Sequence, residues 1–357
     1  IAPRAFRTIE LVKEFARQGH QVKIILPERT FDLDTLKSLF PNISIKKFGP
    51  LKFNPVVLKG NKIQRLIRKI IQRAGTLFLE YPAIELLFQL PKVLVNESGF
   101  DLLISIAAPH PVHWGVSRAI KKNHDLTKTW VADCGDPYMG ETLGTFRKPF
   151  YFKYLEKDFC KNADYITIPT EGAIEAYYPE FWQKIKIIPQ GFDFSETLKD
   201  ENHINNEIPI FAYAGSLAGK GVRCPFLVLD YLKTVKQDFH FHIFSGSENG
   251  ILSDYKSSFG EKLIVHEKLD RTLLLNELKK MDFLVNFDNG TPTQLPSKLI
   301  DYALTHRPIL NIYPLKPDYT LIDQFLKQDY SRQYHVNNIE RYNIKNVVSE
   351  FIQLAKK

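Results

Sequence analysis

Two stretches of the chain combine cations and glycines in a way that suits an anion. In "FAYAGSLAGKGVR", residues 211–223, an aromatic strand pattern runs into Gly215 and Ser216, then Gly219-Lys220-Gly221, then Arg223. Glycine lets a backbone approach a ligand closely. Lys and Arg bring charge, and Arg can grip a diphosphate with two hydrogen bonds. The GxxxxGK[ST] spacing of a nucleotide P-loop is absent. In "QLPSKLIDYALTHRPIL", residues 294–310, Pro296 suits the first position of a helix. The free N–H groups of Ser297 and Lys298 would face a phosphate. Asp301 lies one turn further on about the same face as Lys298, where a carboxylate accepts hydrogen bonds from ribose hydroxyls. Alone, the first stretch reads equally well as a glycine turn with solvated cations, and the second as a capped helix with a Lys298–Asp301 surface pair. Together they offer sites for a diphosphate and a ribose, two parts of a nucleotide sugar.

Further candidates lie in the amino-terminal half. "PHPVHWGVSRAI" (109–120) and "WVADCGDPYMG" (130–140) each follow or end a strand pattern. Asp133 and Asp136 flank a Cys-Gly turn. We read His110 and Asp136 as lining the sugar and acceptor side, with turn capping by either Asp as the structural alternative. In "NKIQRLIRKIIQR" (61–73), Ile63, Leu66, Ile67, Ile70 and Ile71 share one helical face, while Lys62, Arg65, Arg68, Lys69 and Arg73 take the other. That is the pattern of a helix lying on an anionic lipid surface, with Arg65, Arg68 and Lys69 as contacts; an ordinary core helix is the alternative. The aromatic segment "FRKPFYFKY" (146–154) fits the same surface.

These residues need elements to hold them. Short apolar strand patterns at 21–26, 43–48, 101–106, 128–133, 164–169 and 184–189 alternate with helical ones, beginning with a helix at 5–18. Such alternation predicts parallel sheets in βαβ units. The polar segment 191–208 interrupts it as a linker. Strand patterns at 210–215, 239–246, 263–269, 283–287 and 308–313 then resume, with helices at 224–236, 271–281 and 344–356. The expected layout is an α/β chain of two Rossmann-like, doubly wound domains facing a central cleft: 1–190, then 209–335, with 336–357 as a carboxyl-terminal helix returning to the first domain. An α/β domain usually opens on a strand, so a strand upstream of residue 1 is expected.

The bulk numbers agree. The chain has 357 residues, 44% hydrophobic and 25% charged, with net charge +8, values of an ordinary globular protein of about two domains. Residues 1–150 hold 23 Lys and Arg against 13 Asp and Glu, so the basic excess is amino-terminal and points to an anionic partner. Three cysteines without close spacing and scattered histidines give neither a disulfide framework nor a metal motif. No apolar run reaches the about 20 residues of a membrane span. Nucleic acid would suit the charge, but no recognisable module is present.

In order along nearly the whole chain, "RTIELVKEFARQGHQVKIILP", "IKIIPQGFDF", "YAGSLAGKG" and "LPSKLIDYALTHRPIL" resemble the GT-B glycosyltransferases, and within them the retaining family 4 enzymes that build bacterial polysaccharides and glycolipids. The resemblance implies that Lys220 is the donor-loop lysine facing the diphosphate. It implies that Asp301 fills the place of the second Glu of the family's Glu–seven residues–Glu motif, which holds the ribose. The first Glu of that motif falls on Thr293, the loop arginine on Ser216 (with Arg223 close by), and the usual Gly on His306. Asp136 falls near the family's sugar-contacting histidine. The implied activity is hexosyl or N-acetylhexosaminyl transfer from a nucleotide-diphosphate sugar to a lipid-linked or polysaccharide-precursor acceptor such as one for lipopolysaccharide or capsule. It would take place in the cytoplasm, peripherally at the inner face of the plasma membrane, with no metal or other cofactor. Asp136, His110 and Lys220 are the candidate catalytic residues. Gly215, Ser216, Lys220, Arg223, Ser297, Lys298 and Asp301 are the candidate donor residues. An epimerase of the same fold, using Asp133, Asp136 and His110 as acid and base, and an inactive nucleotide-sugar-binding subunit are the other readings.

Overall fold

The structure is a computed structural model and describes residues 3–28, 33–140, 147–195, 205–246, 250–290 and 298–356. The chain divides into two units: residues 1–192 together with 342–357, and residues 193–341.

In the first unit the elements run α1 (Pro3–Arg17), β1 (Val22–Pro27), α2 (Asp34–Leu39), β2 (Ile43–Phe48), α3 (Lys62–Leu79), α4 (Leu86–Leu94), β3 (Phe100–Ile106), α5 (Pro111–Lys122), β4 (Thr127–Asp133), α6 (Phe152–Asn162), β5 (Tyr165–Ile168) and β6 (Ile185–Ile187). Among the described residues, β1 and β2 form one parallel pair, and β3-β4-β5-β6 form a second parallel sheet in that order. Strand β4 shows why its centre, Trp130-Val131-Ala132, is apolar without alternation. Trp130 faces a core shared with α4, α5 and α6, while its neighbour Val131 faces a core shared with α1 and the last helix; both are fully buried. A sheet covered on both faces has no solvent side to alternate with. The last helix belongs to this unit. Phe192 bridges Asn343, and Ile344, Val347, Val348 and Phe351 of that helix (Ile344–Ala355) pack against Leu11 of α1 and the β3–β4 sheet.

The second unit holds β7 (Ile210–Ala214), α7 (Phe226–Thr234), β8 (His240–Phe244), α8 (Ser253–Phe259), β9 (Leu263–His266), α9 (Arg271–Leu278), β10 (Phe283–Phe287), α10 (Lys298–Leu304), β11 (Ile309–Ile312) and α11 (Tyr319–Leu326). The helix that ends the chain is α12. All five strands are parallel, in the order β11-β10-β7-β8-β9. The chain leaves β7 toward β8 and β9, then returns to the other side as β10 and β11. The carboxyl ends of β7 and β10 therefore flank a topological switch point, where open α/β sheets bind ligands.

Helix α3 differs from the rest. An Asn61–Gln64 capping box starts it and Glu80, in the left-handed conformation, ends it. None of its residues is buried: Ile63 is 70% exposed, Leu66 59% and Ile70 58%. Its apolar face does not form core, against the ordinary reading of such a helix. No described helix is long and apolar enough to cross a membrane.

Candidate active site

Gly215, Ser216, Lys220 and Arg223 follow the carboxyl end of β7 at the switch point. Strand β7 ends at Ala214, and Gly215 takes φ +142, where a Cβ would stand 3.2 Å from the Tyr213 hydroxyl. Glycine is required there to turn the chain. The buried Tyr213 then donates its hydroxyl hydrogen to the Ser216 carbonyl at 2.9 Å. The Ala218 N–H donates to the Arg223 carbonyl at 2.9 Å and closes the loop. Lys220 lies within it in extended backbone, exposed, between Gly219 and Gly221.

Helix α10 approaches from the β10 side. Its first residue, Lys298, places its ammonium 4.2 Å from the centre of the Tyr213 ring. Four residues on, and so on the same helical face, the fully buried Tyr302 accepts the Ala214 N–H at 2.7 Å and donates to the Ala214 carbonyl at 3.3 Å. Tyr302 thus ties α10 to the end of β7. Burial, and then the charge of Arg223, lowers the Lys298 ammonium to about 7. Lys298 therefore stands over Tyr213, whose hydroxyl holds the Ser216 carbonyl, and lies within electrostatic reach of Arg223. Two like charges held close raise each other's energy, and an anion relieves both.

Asp301 sits differently from the expectation of an open carboxylate. It accepts from Arg271 Nε of α9 at 2.9 Å, and both side chains are about one-fifth exposed. The sequence gives no sign of this pair, because its members are 30 residues apart on separate elements. Ser297 and Thr293 lie outside the described residues. His306, at the place of the family's usual Gly, has φ +58 just beyond α10, the left-handed stop that glycine normally fills. On the floor of the same end, the Asn286 amide donates to the Asn311 side chain, which donates to Asp288 at 2.7 Å, and Asp288 accepts the Gly290 N–H at 2.7 Å.

In the first unit the strand-end residues separate by role. Asp133 is fully buried and gripped from both sides: Arg7 donates from Nε and Nη2 at 2.7 Å each, Thr167 donates at 2.7 Å, and Arg4 lies at 3.5 Å. Burial alone would raise its carboxyl, but the Arg7 charge and hydrogen bonds, with Arg4, hold it below the usual carboxylate range. Arg7 also donates to the carbonyls of Ile188 and Pro189, so the cluster ties α1 to the strand ends. Arg4 covers Gly135 so closely that any Cβ there would overlap its guanidinium. Asp133 is therefore fixed as an anion, unsuited to the acid-and-base role of the epimerase reading. Asp136, three residues on, is exposed.

His110 packs against Tyr138 in a tilted contact, ring centres 4.7 Å apart. Burial, then electrostatic coupling to His113 and the charges of Lys148 and Arg4, hold its imidazole well below the ordinary value, so it is neutral at pH 7. Its Nδ1 is buried without a hydrogen-bond partner among the described residues. Buried polar atoms are nearly always paired, so this one is suited to a ligand hydroxyl. Neighbouring His113, by contrast, is tied to Ser105 and Cys134 inside the core.

No protein-family model and no curated protein matches the chain by sequence. Solved structures do match in fold. The chain is similar to a glycosyltransferase from Rickettsia africae ESF-5 (11% identity, 98% of this chain and 93% of that one, TM-score 0.61). It is similar to the apo form of the lipopolysaccharide outer core galactosyltransferase WaaB (13% identity, 99% and 95%, TM-score 0.60). It also matches the UDP-GlcNAc 2-epimerase from Neisseria meningitidis bound to UDP-GlcNAc (12% identity, 99% and 97%, TM-score 0.56). The fold is accordingly GT-B, the architecture of these glycosyltransferases.

Proposed function

We propose that this chain is a glycosyltransferase that moves a hexosyl or N-acetylhexosaminyl group from a nucleotide-diphosphate sugar to a lipid-linked or polysaccharide-precursor acceptor, with retention of configuration, at an anionic membrane surface. The observation that carries the donor side is the Lys298–Arg223 pair at the β7 switch point of the second unit. Leaving-group departure builds negative charge on the diphosphate. Cations fixed before the reaction stabilise that charge with little reorganisation, and Lys220 on the same loop adds a third. In the first unit the neutral His110, with its open Nδ1, and the exposed Asp136 are the groups we assign to a sugar or acceptor hydroxyl. Asp133 is locked in an ion pair, which makes it unsuited to serve as the nucleophile of a double displacement; front-face retention is the reading that needs no such nucleophile.

The membrane reading rests on α3. Its 18 residues, about 27 Å long, expose an isoleucine and leucine face flanked by Arg65, Arg68 and Lys69. The aromatic segment joins the end of α3: Tyr151 hydrogen-bonds the Phe78 carbonyl, Lys148 pairs with Glu80, and Phe150 is 71% exposed.

The test is incubation with UDP-, GDP- and CMP-linked sugars, with and without lipid extract as acceptor. Release of nucleotide that depends on the acceptor supports transfer. Isomerisation of the donor without any acceptor would establish the epimerase instead, a reading that the shared fold of the Neisseria enzyme keeps open. Binding without either reaction would mark an inactive subunit.

A further inference from the structure

A hollow of about 520 Å³ lies beyond the carboxyl end of β2, among Phe48, Leu51, Lys52, Asn54, Gln89 and Lys92. It is separate from the residues assigned above. Parallel strands present their ligand-binding ends at this position. Its wall is held in place. Glu85, only 3% exposed, accepts the N–H groups of Lys52 and Phe53 at 2.8 and 2.7 Å and the Gln89 amide at 3.2 Å. With Glu85 consumed by these bonds, the charges lining the hollow are the two lysines.

The same wall adjoins α3. Asn54 accepts the Tyr81 hydroxyl at 2.7 Å, one residue past the Glu80 cap, and Phe53 stacks on Tyr81 at 5.5 Å. Further along, Arg68 of α3 donates to the Val57 carbonyl at 2.9 Å. Phe53, Val57, Phe78 and Leu79 leave 41–60% of their surface in solvent. A cationic hollow thus opens beside an apolar, basic-edged surface.

We propose that this hollow binds the phosphate or diphosphate head group of a membrane lipid, the lipid chain lying against the exposed apolar residues beside α3. The two lysines take the head group's charge, and the Asn54 side chain lines the same hollow. The proposal rests on the membrane part of the functional reading and supplies its acceptor-side anion site. A free phosphate would use only the polar lining of the hollow; a lipid needs the adjoining apolar surface as well.

The probe is farnesyl diphosphate below its micellar concentration, titrated calorimetrically into the full chain, with inorganic pyrophosphate and farnesol as separate arms. We expect farnesyl diphosphate to bind at least tenfold more tightly than either arm. The exposed pair Lys52→Gln/Lys92→Gln should lose at least tenfold of that affinity, with an unchanged melting temperature and unchanged UDP binding. Equal affinity for pyrophosphate and farnesyl diphosphate would overturn the lipid assignment, and undiminished binding by the double variant would overturn the site. Neither result touches donor binding in the second unit, and vesicle sedimentation tests α3 independently.

Discussion

Binding of a diphosphate should draw a proton onto Lys298. Burial and Arg223 hold that ammonium near pH 7. A diphosphate brings opposite charge against it and restores its ordinary proton affinity. A group with a pKa near 7 is about one-tenth protonated at pH 8, so binding there should take up about 0.9 proton, and at pH 6 only about 0.1. By linkage, affinity should fall about 50-fold between pH 7 and pH 9. Titrating UDP at pH 8 in HEPES and in Tris, whose ionisation heats differ, gives the proton count from the change in observed heat. The terminal phosphate of UDP is already ionised at that pH, with a second pKa of about 6. Lys298→Met should bind more weakly, take up no proton and lose the pH dependence. The same shift has a stability sign. Between about 7 and 10.5 the unfolded chain holds more protons than the folded one, so the lysine's cost shrinks as pH rises through that window. Ligand-free Lys298→Met should therefore be more stable at pH 7, by roughly 2 kcal/mol once the side chain's partial exposure is allowed for. Wild-type uptake near zero at pH 8, or equal uptake by Lys298→Met, would refute the reasoning.

Three other outcomes are expected. Asp133→Asn should cost about 3–5 kcal/mol in urea unfolding, because it leaves Arg7 buried with a lost counter-charge; a cost below 1 kcal/mol would deny the cluster its structural role. His306→Gly should stabilise the chain by about 1 kcal/mol, since an L-residue pays to hold φ +58 and glycine does not; the readout is the denaturation midpoint, and a fall would contradict it. Neutralising Arg65, Arg68 and Lys69 to Gln should remove about 3 kcal/mol of attraction, roughly 100-fold in partition onto anionic vesicles, and reversing them to Glu should remove more; unaltered sedimentation would sink the membrane role of α3.

Strands were the most legible elements in the sequence. The strand patterns at 101–106 and 128–133 match β3 and β4 to within a residue, because their unbroken apolar centres, Leu102–Ile104 and Trp130–Ala132, pack on both faces of the sheet. The helix expected to end at 73 runs on to Leu79: Gly75 does not break it, and the stop comes from Glu80 in a conformation that no pattern announces. Between β5 and β6, Glu171–Ala176 and Pro179–Lys184 form 3₁₀ turns, which lack the periodicity of a long helix. At the site, Lys298 and Arg223 were readable as cations beside glycines. Their meeting was not, because it depends on strand order: β10 returns next to β7. Tyr302 left one local trace, its four-residue spacing from Lys298. The Arg271–Asp301 and Arg7–Asp133 pairs left none, each joining elements remote in sequence.

The central claim is that the second unit holds the donor's diphosphate against Lys298 and Arg223. A crystal structure with bound UDP measures this directly. We predict the β-phosphate within hydrogen-bonding distance of Lys298 Nζ and the Arg223 guanidinium, beside Gly215 and Ser216. A nucleotide bound elsewhere, with both cations left facing solvent, would contradict it.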